Sequence, residues 1–99
     1  MLTLPIKKKW FDMILSGEKK EEYREISDYY RGRFFNIWGR KAYWPEPHKV
    51  KFRNGYSSTS PYFIAECALS VGTGNPEWGA EPGKRYYILH ILRVEDGAS

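Results

Sequence analysis

Residues 62–71 read YFIAECALSV and carry the clearest strand pattern in this chain of 99 residues. Apolar side chains recur at every second position, which is typical of one covered face of a β-strand. The members of this face are Phe63, Ala65, Cys67, Leu69 and Val71. Cys67 is the lone cysteine, so no disulfide can form within the chain, and we expect it to be a small buried side chain. The pattern predicts a domain built around β-strands.

Other elements follow from spacing on both sides of this strand. The predicted elements are a strand over residues 2–4, helices over 6–16 and 28–38, and strands over 48–53 and 85–94. Residues 19–30 leave two alternatives open, because Lys and Glu favour a helix whereas strand alternation is equally consistent. Residues 72–84 form a loop rich in Gly and Pro. Short strands with long loops predict a small barrel with flanking helices.

Two further signals concern the ends of these elements. Gly17 suits the position after the first helix, and Ser27 or Asp28 suits the N-cap of the second. The stretch WPEP at residues 44–47 is typical of a rigid connector, and Asn54 with Gly55 is typical of a turn.

Size and composition indicate one domain spanning residues 1–99. Aromatic residues make up 17% of the chain, which gives a small domain a dense core. No stretch approaches the roughly 20 apolar residues of a membrane-spanning helix. The N-terminus lacks the order of a signal peptide, so we expect a cytoplasmic protein without a membrane partner.

The charge of the chain is +4 overall but unevenly placed. Between residues 29 and 53, seven basic residues accompany a single acidic residue, Glu46, and eight aromatic residues. Basic residues interleaved with aromatics suit a polyanion whose bases can stack, such as single-stranded nucleic acid. The same composition is also consistent with a solvated basic surface around an aromatic core.

Residues 17–24, GEKKEEYR, carry Gly17, Lys19, Glu22 and Arg24 at the spacing Gly-x-Lys-x-x-Glu-x-Arg. This resembles the signature of the ASCH domains, a PUA-like nucleic-acid-binding family. The runs LTLPIKKKWFDMILSGEK, NGYSSTSPYFIAECALSVG and EWGAEPGKRYYILHI also resemble small bacterial and phage members. The resemblance implies a β-rich α+β fold, a small PUA-like β-barrel of about five or six strands with flanking helices. It also implies that residues 20–24 are a strand.

In that family the signature lies at a cleft between barrel and helix. Arg24 could hold a phosphate or carboxylate through two hydrogen bonds, Lys19 offers a point charge, and Glu22 accepts from a base. The remaining predicted ligand contacts are stacking by Trp38, Tyr43 or Trp44 and phosphate binding by Lys49, Lys51 and Arg53. The first hypothesis is therefore a binding module for RNA or a modified nucleoside. A protein-interaction domain is a further alternative.

A hydrolase acting in the same cleft is the second hypothesis. Some family members are acetylcytidine amidohydrolases, whose signature lysine and arginine match Lys19 and Arg24. Their catalytic threonine falls at Glu22, and a carboxylate does not replace a hydroxyl nucleophile. In an enzyme, whether nucleoside amidohydrolase or ribonuclease, Lys19 and Glu22 are the candidate catalytic residues. Glu77 or Glu81 is expected to approach the cleft from the 72–84 loop, with Trp78 as its anchor.

Metals and cofactors are not expected, because His48 and His90 are isolated in the sequence. We expect His90 to be a hydrogen-bonded core residue within an apolar strand. Glu66, a carboxylate on a mainly apolar strand, is expected either to be salt-bridged inside the protein or to face the cleft.

Overall fold

The computed structural model describes residues 1–40 and 44–95, with residues 44 and 45 described by their backbone alone. The elements in chain order are β1 (Leu2–Pro5), α1 (Lys8–Leu15), β2 (Glu21–Arg24), α2 (Asp28–Trp38), β3 (Trp44–Arg53), β4 (Tyr62–Thr73), a 3-10 turn (Pro76–Trp78) and β5 (Arg85–Val94). None of the helices in the described ranges is long and apolar enough to cross a membrane.

The five strands form one sheet in the order β1-β3-β4-β5-β2. β1 runs parallel to β3, and the other neighbours are antiparallel. The sheet curls into a half-barrel, accompanied by two helices. The predicted fold class, a small β-rich α+β domain with about five strands and flanking helices, is confirmed.

The core lies inside the curl of the sheet. Alternate residues of β3 and β4 point inward and are almost completely buried, because strand geometry sends every second side chain to one face. They are Val50, Phe52, Phe63, Ala65, Cys67 and Leu69. Val71 was expected on the same covered face but is 37% exposed. The reason is that β4 continues beyond its last pair with β3, Trp44 with Leu69.

The two helices begin and end at local signals. α1 starts at Lys8, later than predicted, because the Ile6 amide still donates to the Arg53 carbonyl at 2.9 Å and so extends the edge of the sheet. Gly17 follows the helix with φ 84°, a conformation that suits glycine. Ser27 is the N-cap of α2, and its side chain accepts from the Tyr30 amide, as predicted.

Three segments differ from their prediction. Residues 44–47 are not a connector but the start of β3, where a bulge between Trp44 and His48 accommodates the two prolines. β4 takes residues 72 and 73 from the predicted loop, which also holds a 3-10 turn. β5 is buried on both faces only over residues 86–89, and Leu92 is 57% exposed because β2 ends its pairing at His90.

Cys67 gives a test of this core that does not depend on function. It is fully buried, and burial raises the pKa of its thiol to about 12. An unfolded chain ionises its thiol near pH 8.5, so the free energy of unfolding should fall as pH rises above this value. Urea denaturation should show the advantage of wild type over Cys67→Ala shrinking by about 2 kcal/mol between about pH 8 and pH 10. A difference that is independent of pH would contradict the buried placement.

Candidate functional site

The candidate site lies at the seam of the half-barrel, where its two edge strands approach each other. Arg24 on β2 donates through Nη2 to the Pro5 carbonyl on β1 at 2.7 Å. A cavity of about 730 Å³ opens beside this bridge. Its aromatic lining consists of Trp10, Tyr23, Tyr30, Tyr56 and Tyr86, and its charged lining of Lys7, Lys8, Glu22, Arg24 and Glu25. We call this cavity the seam cleft.

The three charged signature residues lie in contact with one another beside the cleft. Glu22 Oε1 lies 3.3 Å from Lys19 Nζ, and Glu22 Oε2 lies 2.8 Å from Arg24 Nη2. Arg24 also donates to the Tyr30 hydroxyl at 3.2 Å. Glu22 and Arg24 line the cleft, on the inner face of a segment that is a strand and not a helix.

Lys19 has a different place from the one predicted. Its side chain is fully buried and does not line the cleft. Nζ donates to the Trp78 carbonyl at 2.6 Å and lies over the rings of Trp10 at 4.7 Å and Tyr23 at 5.0 Å. Burial is the main cause that lowers the pKa of Lys19, opposed by the Glu22 carboxylate. Lys19 therefore holds Glu22 and the 3-10 turn in place and is not accessible from the cleft.

Arg24 retains unused hydrogen-bonding capacity. Both of its Nη atoms have protein partners, whereas its buried Nε has none among the described residues. Buried donors are nearly always paired in folded proteins. The Arg24 guanidinium thus has one N–H donor, at Nε, without a hydrogen-bond acceptor among the described residues.

A glycine-rich loop holds two aromatic walls of the cleft. A Cβ on Gly74 would lie 2.6 Å from the Tyr23 ring, and one on Gly79, which has φ 100°, would lie 2.9 Å from Trp10. The amide of Asn75 donates to the Tyr23 hydroxyl at 2.8 Å. Only glycine permits this close approach, so the loop fixes both rings.

The carboxylates predicted from this loop do not reach the cleft. Glu77 and Glu81 are exposed and are not among the residues that line it. The loop packs on the cleft through its glycines and the Trp78 carbonyl, and this turns the glutamate side chains outward. The expectation for Glu77 or Glu81 is wrong, whereas Trp78 does anchor the loop, through its backbone.

The predicted stacking residues lie elsewhere. Trp38 is only 6% exposed, packs in the core and donates through Nε1 to the Glu46 carbonyl at 2.7 Å. Its indole faces are covered by protein, so we do not assign it to the site. Tyr43 and the side chain of Trp44 lie outside the described residues.

The predicted phosphate contacts share the outer face of β3, opposite the buried Val50 and Phe52. Lys49 Nζ lies 2.8 Å from Glu95 Oε1, and this ion pair weakens the attraction of Lys49 for a phosphate. Lys51 lies over the Tyr62 ring at 4.1 Å, and Arg53 is its neighbour on the same face. Neither Lys51 nor Arg53 pairs with a carboxylate in the described part of the chain. These residues do not line the seam cleft, although the turn that follows Arg53 does.

The predictions for two polar strand residues, Glu66 and His90, are wrong. Glu66 is neither inside the protein nor in the cleft, because its carboxylate accepts from Arg93 Nε at 3.1 Å on the outer surface. This arginine lowers the pKa of Glu66. His90 is not a core residue, since its ring is 35% exposed on the outer face. The apolar residues around His90 predicted burial, but β5 is covered on both faces only over residues 86–89.

Sequence reasoning missed the aromatic lining. Trp10 was assigned to the apolar face of the first helix, and no role was predicted for Tyr56. The available signal was the turn at Asn54 and Gly55, which projects the following tyrosine from the sheet. Tyr56 is 89% exposed and lines the cleft.

Comparisons with protein-family models, with curated proteins and with solved structures found no match. The ASCH resemblance therefore stays a prediction from the signature. Among the described residues, no group of three His, Cys, Asp or Glu side chains could hold a metal ion.

Glu22 should be the most sensitive carboxylate of the site. Glu22→Gln leaves Lys19 and Arg24 without their buried counter-charge, which should lower the free energy of unfolding by about 3 kcal/mol. Glu25→Gln is the matched control, since Glu25 also lines the cleft but is mainly exposed, and it should change stability by less than about 0.5 kcal/mol. Urea denaturation measures both. Equal losses in the two variants would contradict a stabilising role for the buried chain of charges.

Proposed function

We propose that the seam cleft binds a nucleobase, presented either by a free nucleoside or by single-stranded RNA. The observation that carries this proposal is the lining: aromatic side chains surround a carboxylate and a guanidinium that lie side by side. Stacking of a base on an aromatic ring contributes about 1–3 kcal/mol. The volume of the cleft falls within the range of sites for small organic ligands.

The polar pair provides both kinds of hydrogen bond that a base edge requires. Glu22 only accepts and Arg24 only donates. A carboxylate has about four lone-pair positions, so Glu22 keeps acceptor capacity after bonding to Lys19 and Arg24. An amino group and a neighbouring acceptor on a base edge would match this pair.

The rim of the cleft favours an anionic extension of the ligand. Lys7 and Lys8 line the opening, although Lys8 is paired with Asp12 at 2.6 Å. Lys51 and Arg53 lie on the strand that leads into the turn at the cleft. A polynucleotide backbone that crosses this turn would meet both side chains, and this supports RNA as the larger ligand.

Binding is better supported than the hydrolase alternative. Lys19, the candidate base, is sealed from the cleft and donates to a backbone carbonyl and to Glu22. Glu22 is engaged by two cations. A general base needs to reach the proton that it removes, and Lys19 lacks that access here.

Tyr56 allows the proposal to be tested without damage to the core. Tyr56→Ala should weaken nucleoside or oligonucleotide binding about 5- to 150-fold, which corresponds to the loss of one stacking contact. Tyr29→Ala is the matched control, because Tyr29 is 61% exposed and does not line the cleft. A thermal-shift screen with nucleosides, nucleotides and short RNAs would find the ligand, and titration would compare the variants. Stabilisation by none of these ligands would overturn the proposal.

Salt dependence should separate the basic residues of β3. Three phosphate contacts by Lys49, Lys51 and Arg53 would give a log–log slope of affinity against salt near −2, at about −0.7 per contact. Since Lys49 is neutralised by Glu95, we expect a slope of about −1.4. Fluorescence anisotropy with labelled single-stranded RNA should show Lys51→Ala reducing the slope by about 0.7 and Lys49→Ala leaving it nearly unchanged. Equal effects of the two would show that the ion pair does not matter for binding.

A further inference from the structure

A second cluster of polar side chains lies on the outer face of the sheet. Alternation along β2 sends Glu22 inward and Glu21 outward. Glu21 pairs across strands with His90 of β5, which pairs in turn with Ala68 of β4. Ser70 stands two residues further along β4, on the same face as Ala68. Three strands thus bring a serine, a histidine and a carboxylate together.

His90 lies between Ser70 and Glu21 and contacts both. Ser70 Oγ lies 2.7 Å from His90 Nε2, and His90 Nδ1 lies 3.5 Å from Glu21 Oε2. In the tautomer that carries its proton on Nδ1, the ring nitrogen nearer the carboxylate, Nε2 accepts from the Ser70 hydroxyl. This is the tautomer that a general base for a serine requires.

The carboxylate of Glu21 is itself oriented by a hydrogen bond from Tyr23. Tyr23 donates its hydroxyl to Glu21 Oε1 at 2.6 Å and accepts from the Asn75 amide at 2.8 Å. Burial raises the pKa of Tyr23, so its hydroxyl remains a donor at neutral pH. The series from Asn75 to Ser70 leaves the nucleophile with a base and the base with an orienting group, which is the arrangement of a catalytic triad.

Ser70 is partly exposed on the outer face of the sheet. Its neighbours on the outer face of β4 are Ala68 and Gly72, the two smallest residue types. The His90 ring is 35% exposed and the Glu21 side chain 27% exposed. Only small side chains therefore flank the nucleophile along β4, and its cross-strand neighbour on β5 is Ile88.

We propose that Ser70, His90 and Glu21 form an acyl-transfer site for small uncharged esters with good leaving groups. Ser70 and His90 are the catalytic residues, and Glu21 is a positioning residue. The catalytic residues of this site do not line the seam cleft, although Tyr23 borders the cleft and hydrogen-bonds to Glu21. The proposal does not rest on nucleobase binding.

The chemistry balances with water as the second substrate. Ser70 Oγ forms a bond to the acyl carbon as the bond to the leaving-group oxygen breaks, while His90 Nε2 takes the serine proton and passes it to the leaving group or to solvent. Water then attacks the acyl carbon and His90 accepts its proton. The bond to Oγ breaks, Oγ recovers a proton from His90, and a carboxylic acid is released. The net reaction is hydrolysis of the ester to an acid and an alcohol.

Labelling of the full chain with an alkyl fluorophosphonate tests the nucleophile directly. Attack by Ser70 forms an Oγ–P bond and releases fluoride, and peptide mass spectrometry locates the adduct. We expect modification at Ser70, lost in Ser70→Ala and slowed at least about 100-fold in His90→Asn, the range for loss of a general base. Ser58→Ala is the matched control, because Ser58 is an exposed loop serine, and it should be labelled like wild type.

The role of Glu21 needs a separate measurement. Glu21→Gln should slow the acylation burst with p-nitrophenyl acetate about tenfold at unchanged KM and with a native circular dichroism spectrum. Ser70 labelling that is no faster in native protein than in urea-unfolded protein would overturn the proposal, whether or not the variants fold. An adduct only at other residues would overturn it as well.

Discussion

The buried carboxylate of Glu22 between two cations is the interaction on which the rest of the structure depends. A half-barrel has two strand edges that no neighbouring strand satisfies, and here those edges belong to β1 and β2. Arg24 bridges them through the Pro5 carbonyl, and Glu22 holds that arginine in place. Lys19 balances the second oxygen of Glu22 and ties down the distant Trp78. One set of charges thus maintains the curl, the seam cleft and the loop beside it.

How much the sequence predicted follows from the range of the interactions involved. The strand over residues 62–71 was predictable because alternation is local, and the cap at Ser27 because it involves neighbouring residues. The clustering of Lys19, Glu22 and Arg24 came from a signature, since strand alternation alone separates Lys19 from the other two. The burial of Trp38 depends on packing between distant segments, which residue spacing does not encode.

Alternation along a single short strand explains why two polar clusters lie so close in sequence. Glu21 and Tyr23 belong to the outer face, whereas Glu22 and Arg24 belong to the inner one. Tyr23 is the exception that contacts both environments, because its ring borders the cleft and its hydroxyl bonds to Glu21. Four consecutive residues therefore contribute to two surfaces with different chemistry. Because the strand is so short, a substitution on one surface lies close to the residues of the other surface.

The strand order affects how this chain can fold during its synthesis on the ribosome. β1 and β2 are synthesised first but occupy opposite edges of the sheet, and each pairs only with a strand made later. β2 in particular has no partner until β5 has been made, some sixty residues later. Non-local pairing of this kind slows folding, because the chain loses the entropy of loop closure before the strand contacts stabilise it. The charged signature must therefore stay hydrated in an unfolded nascent chain, and its three charges enter the interior only when the last strand arrives.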